Sequence, residues 1–356
     1  VRHHVSLDPA AARQADAIRE VVSATVKEHS VQVVIPVTDF ASRALLGYDA
    51  ALGARVAGPS AEAYSRASDK ALLLSLAAEI GIRVPRQEVL ERYGDRLTSS
   101  HGSVVVKPAR SEVAVQGKSQ KLGVSFAADR EEAERVISGY PEAAYPLLVQ
   151  ERTIGDGVGV FLLRSVGSTA LAFAHRRLRE KPPAGGVSTY RESIAVPTDL
   201  RVLCEKLLDR LDYSGAAMLE FKQDQQSGEY VLMEINARLW GSLQLAVDAG
   251  VDFPAALVAI TLCERLPGST PKVGVRTAWE LGEVDHALAL VRRSAAALHL
   301  PPETRSGWRA ALAALFNRRW SDHAEVFRLS DPMPFLAEAN LWFRSVAKAA
   351  TPVATQ

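Results

Sequence analysis

The residues best placed to do chemistry lie in one stretch. Ala217-Met218-Leu219-Glu220-Phe221 is followed by a polar turn and then by Val231-Leu232-Met233-Glu234-Ile235-Asn236-Ala237-Arg238. Alternate side chains of a strand share a face. Glu234, Asn236 and, if the strand continues, Arg238 therefore point the same way. A turn centred near Ser227 sets Glu220 opposite Glu234. Carboxylates placed directly opposite each other repel, and the apolar neighbours on both strands predict burial. A buried charge without a partner is costly, so a cation is expected there. Two carboxylates and an amide oxygen are a hard, all-oxygen donor set suited to Mg²⁺ or Mn²⁺. Magnesium keeps positions for water and phosphate oxygens, which points to nucleotide chemistry. An arbitrary Glu-x-Asn would read as solvated carboxylates on a hairpin rim. The second Glu, the following Arg and the apolar flanks reverse that preference.

Basic residues that could meet phosphates are scattered upstream. Lys107 ends the apolar run Ser103-Val104-Val105-Val106-Lys107-Pro108, and Lys70 falls in the first turn of an expected helix. Gly117-Lys118-Ser119 is not a P-loop, because the required earlier glycine position holds Glu112. The polar loop through Ser119 could still fold over phosphates through backbone N–H groups. Arg176, Arg177, Arg179 and Lys181 form a dense positive cluster beside His175 and the run Pro182-Pro183-Ala184-Gly185-Gly186-Val187-Ser188-Thr189. This cluster is read as a basic loop, either a solvated face or a clamp for substrate or phosphate. The eight histidines form no HExxH pattern, and no GxSxG elbow occurs. Trp240 is expected to pack under the following helix rather than to stack on a substrate.

Elements that position these residues follow from patterning. Asp8-Pro9 starts a helical pattern with apolar Ala12, Ala15, Ile18, Val21, Val22 and Val26 near one face. Val31–Pro36 reads as a buried parallel strand, Thr38-Asp39 as a helix cap, and Ala54–Pro59 as a weaker strand. This is half of a doubly wound domain, so the usual first βαβ unit is expected to be missing. With Val1 at its start, the chain is expected to be a fragment or trimmed. Ser68-Asp69-Lys70 opens a helix with Ser68 as N-cap, and Gly81 closes it. Strands are expected at 103–108, 123–127 and 146–151. Gly155-Asp156-Gly157 is expected to interrupt the last of these before Val158–Leu163 resumes it. A strand at 170–175, a helix at 200–211, and a mostly helical region from Pro271 complete the reading, with a final helix near 335–349.

The bulk numbers exclude several classes. The chain has 356 residues, enough for two or three domains, with 47% hydrophobic and 23% charged residues, as in a soluble globular protein. A formal net charge of +1 gives no electrostatic argument for nucleic acid. Cys204 and Cys263 lack metal-site or redox spacing, which suits a reducing compartment. No apolar run is long enough to span a bilayer and no signal-peptide pattern opens the chain. A cytoplasmic protein without membrane or nucleic-acid partners is expected.

Taken in order, Ser-Asp-Lys at 68–70, Val-Val-Val-Lys-Pro at 104–108, Val-Gln-Glu-Arg-Thr-Ile-Gly at 149–155, Leu-Glu-Phe at 219–221 and Met-Glu-Ile-Asn-Ala-Arg at 233–238 resemble the ATP-grasp superfamily of carboxylate ligases. The resemblance covers roughly Val31 to Pro254. The His-Arg-Arg-Leu-Arg stretch, Pro-Pro-Ala-Gly-Gly-Val-Ser-Thr and Trp-Gly-Ser are similar to predicted ATP-dependent carboligases akin to the carbamoyl-phosphate synthase large chain.

The resemblance implies an α/β and α+β protein with an ATP-grasp fold. A truncated, doubly wound pre-ATP-grasp domain would cover 1–66. The ATP-grasp domain would cover 67–270, with a small lid subdomain at about 103–150 and a larger one at about 151–270. A helical tail would cover 271–356. By the same resemblance, Lys70 and Lys107 would contact phosphates of ATP. The backbone of Gln150, Glu151, Arg152 and Ile154 would read adenine, and Glu151 or Asp156 would hold the ribose. Glu220, Glu234 and Asn236 would bind Mg²⁺ or Mn²⁺. Arg238 would steady the transferred phosphate, while Ser242, Arg177 and Lys181 would face the acceptor pocket. The loop after Lys107 lacks the glycine run of some members. A homodimer is an expectation at family level.

The leading expectation is an ATP-dependent ligase that joins a small-molecule carboxylate to an amine or ammonia through an acyl phosphate. A second is activation of bicarbonate or carbamate, as in carboxylases of the superfamily. A third is a non-catalytic nucleotide-binding regulatory protein, against which the intact acidic set and Arg238 argue.

Overall fold

The structure is a computed structural model that describes residues 5, 14–98, 102–110, 112–115, 118–165, 167–301 and 304–350. Asp8, Pro9 and Ala12 of the expected first helix, and Gly117, lie outside the described residues. The chain divides into two compact units. The first takes Val1–Ala174, Ala195–Leu243 and Val251–Thr270; the second takes His175–Ile194, Gln244–Gly250 and Pro271–Gln356.

The first unit begins with the helix Ala15–His29, whose Asp16 and terminal Lys27 and His29 suit the positive and negative helix ends. Strands Val33–Val34 and Arg55–Val56 pair in parallel. Between them the helix Asp39–Leu45 is capped by Thr38, whose side chain accepts a hydrogen bond from the Ala41 N–H. Two helices follow directly on each other, Ala61–Ser68 and Lys70–Glu79. Ser68 is therefore not the cap of the second helix. Asp69 is: its backbone is extended, and its carboxylate accepts from the N–H groups of Ala71 and Leu72. An aspartate carboxylate can accept both orphan amides at once and adds negative charge at the helix start.

A four-stranded antiparallel sheet comes next, in the order Gln87–Leu90, Leu147–Glu151, Val104–Pro108, Ser125–Ala127. The helix Arg130–Ser138, capped by Asp129, lays Ala133 and Ile137 on a core that includes Val104, Val106, Leu147 and Val149. The segment expected as a polar loop after Lys107 is a short hairpin, with Glu112–Val115 pairing antiparallel to Lys118–Lys121.

The strands Gly155–Ser165, Gly215–Asp224 and Tyr230–Asn236 lie side by side, with the middle one antiparallel to both neighbours. Gly155-Asp156-Gly157 does not interrupt this sheet but starts its first strand; the break falls at 152–154. A Cβ on Gly155 would meet the Gln223 carbonyl oxygen at 1.8 Å. The glycine is there so that two backbones can close on each other.

The sequence's basic loop proves to be strand: Ser168–Lys181 starts in the first unit and continues unbroken in the second through Arg176, Arg177, Arg179 and Lys181. The strand Val187–Ile194 pairs antiparallel with Arg276–Ala278, which pairs in parallel with His323–Ala324. The region beyond 271 thus contains short strands besides the helices Glu280–Arg292, Trp308–Phe316 and Met333–Ala350. Among the described residues, no helix is long and apolar enough to cross a membrane.

Candidate active site

The hairpin of Gly215–Asp224 and Tyr230–Asn236 supplies the acidic residues. Glu220 and Glu234 are directly opposed in the register, and Met218 faces Asn236. The register shifts between Glu220 and Phe221. Such a bulge re-aims side chains, a device common beside functional sites. Leu219, Phe221, Leu232 and Ile235 are buried around the half-buried carboxylates. The strand stops at Asn236, so Arg238 lies beyond it and its direction is not set by strand alternation.

Two lysines converge on this hairpin. Lys70, the first residue of its helix, is buried with its Nζ 3.2 Å from Glu234 Oε2. Its backbone N–H is taken by the Ala109 carbonyl, which ties the helix start to the end of the Lys107 strand. Lys107 is buried too, and its Nζ donates to the Met233 carbonyl at 3.4 Å. Burial pushes the Lys107 ammonium down to about 8, with Lys70 adding to that and the Glu234 and Glu220 carboxylates opposing it. Two cations and two carboxylates thus meet in a partly buried space, where their fields are strong.

A cavity of about 270 Å³ opens beside them, lined by Lys70, Glu234 and Asn236 together with Asp39, Tyr64 and Arg110 among others. Arg110 reaches Asp69 at 3.5 Å. Arg238 is held by Asp39 through two hydrogen bonds of 2.9 Å, from Nε to Oδ1 and from Nη2 to Oδ2. The pairing with Asp39 holds the Arg238 guanidinium more firmly protonated although burial opposes it. The Tyr64 hydroxyl donates to Asp39 Oδ1 at 3.1 Å. Burial and the Asp39 charge push the Tyr64 phenol up. Sequence reasoning misses Asp39 and Tyr64 as site residues. Asp39 reads there only as part of a helix cap, and its partner lies 199 positions away.

The segment from 150 to 156 is more loosely engaged. Gln150 is buried, and its side-chain amide donates to Gln87 at 2.7 Å. Glu151 and Asp156 are exposed, while the Arg152 guanidinium lies 5.0 Å from the Phe126 ring centroid. The Ile154 carbonyl accepts from the Gln225 N–H. Ser242 is buried. Trp240 is buried against Phe161 and Phe253, with ring centroids 4.4 and 5.0 Å away.

Arg177 and Lys181 belong to the second unit. Arg177 is buried and donates to Glu180 at 2.9 Å and to the Gly186 carbonyl at 3.0 Å. Lys181 pairs with Asp285 and lies 5.2 Å from the centroid of the Trp279 ring.

Glu220, Glu234 and Asn236 fit a small divalent cation by donor type: all would offer oxygen, and two carry charge. Among the described residues no group of three or more His, Cys, Asp or Glu forms a metal site, so the amide would have to complete the set.

Residues 144–282 match a family described as ATP-grasp in the biosynthetic pathway with Ter operon. The structure is similar to that of an L-amino acid ligase from Bacillus licheniformis, with a TM-score of 0.56 and 18% identity over 70% of this chain and 60% of that one. It is similar to the biotin carboxylase domain of the Hydrogenobacter thermophilus 2-oxoglutarate carboxylase, solved with MgADP and bicarbonate. There the TM-score is 0.59, with 14% identity over 76% of this chain and 62% of that one. A Campylobacter jejuni biotin carboxylase solved with an ATP analogue gives 0.58 and 16% over 74% and 61%. The chain spans about three-fifths of the length of these proteins.

Proposed function

Because the chain has the ATP-grasp fold, we propose that it is an ATP-dependent carboxylate–amine ligase that works through an acyl phosphate. One observation supports this above the others. Two carboxylates stand opposite each other in register, and two buried lysines reach the same strand, one at Glu234 and one at the Met233 carbonyl.

In this reading Lys70 and Lys107 bind phosphate oxygens of ATP, and the backbone of 150–154 receives the adenine, with Glu151 or Asp156 at the ribose. Glu220, Glu234 and Asn236 hold Mg²⁺, which supplies charge neutralisation at the transferring phosphoryl group when bound. Arg238 donates to the same group, and buried Ser242 borders the acceptor site.

A carboxylate is a poor electrophile. A substrate carboxylate oxygen attacks the γ-phosphorus, the bond to the β–γ bridging oxygen breaks, and ADP leaves. The resulting acyl phosphate has a good leaving group. An amine nitrogen then forms the C–N bond while the C–O bond to phosphate breaks, releasing phosphate and a proton. Such transfer depends on positioning and charge neutralisation more than on covalent help from protein.

The likeness to biotin carboxylases, one of them solved with bicarbonate, supports a second reading in which bicarbonate is the acid activated. An ADP-release screen against pooled amino acids, uronic acids and amines, run beside bicarbonate alone and followed by mass analysis, separates the two. A new amide product supports the ligase; ADP release with bicarbonate alone supports the second. Tight Mg·ATP binding with no ADP under any pool would sink both and favour a regulatory role.

A further inference from the structure

Arg238 has five N–H groups. One on Nε and one on Nη2 go to the two Asp39 oxygens at 2.9 Å, and one on Nη1 goes to the Leu239 carbonyl at 3.0 Å. Two N–H groups lie outside these bonds, one on each terminal nitrogen. A guanidinium is planar, so three anchors fix where the remaining two can point. Asp39 can serve in this way because Thr38, not Asp39, caps the helix Asp39–Leu45. The Asp39 carboxylate is in turn bonded by the Tyr64 hydroxyl at 3.1 Å, and that hydroxyl also lies 3.2 Å from the Asp39 carbonyl. Asp39 and Tyr64 line the same cavity as Lys70, Glu234 and Asn236.

We propose that Asp39, held by Tyr64, is the positioning residue for Arg238. It fixes the guanidinium plane so that the two remaining N–H groups meet the phosphoryl group in transfer. The proposal rests on the ligase reading. It adds that a residue of the N-terminal segment, about 200 positions from the hairpin, acts on the chemical step and not only on folding.

The test reads the transition state separately from the ground state and needs no knowledge of the acid. Calorimetry measures Mg·ADP binding with and without aluminium fluoride, which mimics a phosphoryl group in transfer. The wild-type protein should bind Mg·ADP more tightly with the fluoride. Asp39→Asn should lose the added tightening by about 10²-fold, well beyond any change in Mg·ADP affinity itself, the cost of a group misplaced by about 1 Å. Asp39→Glu should restore part of it. Tyr64→Phe should lose less, and it decides the matter should Asp39→Asn fail to fold. In ¹⁵N-arginine-labelled protein, the slowly exchanging Nε–H signal absent from Arg238→Lys should become fast-exchanging in Asp39→Asn. Full tightening in Asp39→Asn or in a folded Tyr64→Phe would overturn the positioning role. Full tightening in Arg238→Ala, or no Mg·ADP binding by the wild type, would instead overturn the ligase reading on which it stands.

Discussion

Two charged strands of this chain use the same residue types in opposite ways. In the strand Ser168–Lys181 each basic residue of the 176–181 cluster is paired with a carboxylate, although Glu192 also serves Arg276 and Arg319. Arg176 pairs with Glu192, Arg177 with Glu180, Arg179 with Glu283 and Lys181 with Asp285. Glu283 also accepts from the Thr189 hydroxyl at 2.6 Å, and buried Arg191 pairs with Glu325. In the hairpin, by contrast, two carboxylates are set against each other, and the nearby lysines are buried to the point that one has its ammonium destabilised. Charges paired with opposite charges neutralise each other and hold a fold. Like charges placed in register raise the energy of a site, which the Lys70–Glu234 pair offsets in part and a further cation would offset more. The density of charge therefore says less about function than whether the charges are already matched.

Glu234→Gln tests this most severely. It removes the repulsion but also the carboxylate that pairs with buried Lys70, so the two effects on stability oppose each other, while Mg²⁺-dependent ADP release should fall by about 10³-fold. Normal turnover would end the metal assignment. Arg191→Met is the converse. It leaves Glu325 buried, where desolvation already pushes its carboxyl up despite the arginine. The variant should lose about 3–5 kcal/mol in denaturant unfolding, and the double change with Glu325→Leu should recover most of it. A neutral single variant would show that the second unit does not depend on its matched pairs. Lys107 gives a smaller effect with two opposite signs. With its folded value near 8 and its unfolded value above 10, the unfolded chain holds the extra proton between them, so stability rises with pH across that window. Mg·ATP affinity should fall across the same window, by at most about tenfold per pH unit, because the charge is what meets phosphate. Lys107→Arg should flatten both profiles.

Local rules make much of the hairpin legible. Apolar residues on both faces mark both strands, but the turn alone would set Glu220 against Met233, and the register shift between Glu220 and Phe221 is what brings it opposite Glu234. Lys107 stands at the end of an apolar strand, whereas Lys70 is singled out by the family resemblance rather than by its local pattern. The same rules misread the 176–181 cluster as a loop, since four basic residues in six look solvated. Their partners lie 3 to 104 positions away, and no local pattern announces them. The Asp39–Arg238 pair escapes for the same reason: a helix-start aspartate already has a local explanation. Ser68 reads as a better cap than Asp69 because sequence does not reveal that the preceding helix runs up to Ser68 itself. What sequence hides in this chain is chiefly the distant half of each ion pair.

His175 offers the finest test of the matched strand. It is fully buried, and two neighbours that act on it electrostatically, Arg177 and Arg191, are cations. Burial first and those two charges second hold the imidazole well below its ordinary value, so it is neutral in the folded protein. In the unfolded chain it takes up a proton at about pH 6.5. Below that pH the unfolded state binds the extra proton, and stability falls with a slope approaching about 1.4 kcal/mol per pH unit. Carboxylates titrate mainly below about pH 5, so the interval from there up to about 6.5 belongs chiefly to histidine. Urea unfolding of wild type and His175→Gln across that interval isolates this residue from the other histidines. The variant starts lower at neutral pH because it disturbs a packed core, but its slope should be shallower. Parallel slopes would mean that the charges around His175 already accommodate a proton. The ion pairs of the second unit would then leave room for a charge that their pairing alone does not reveal.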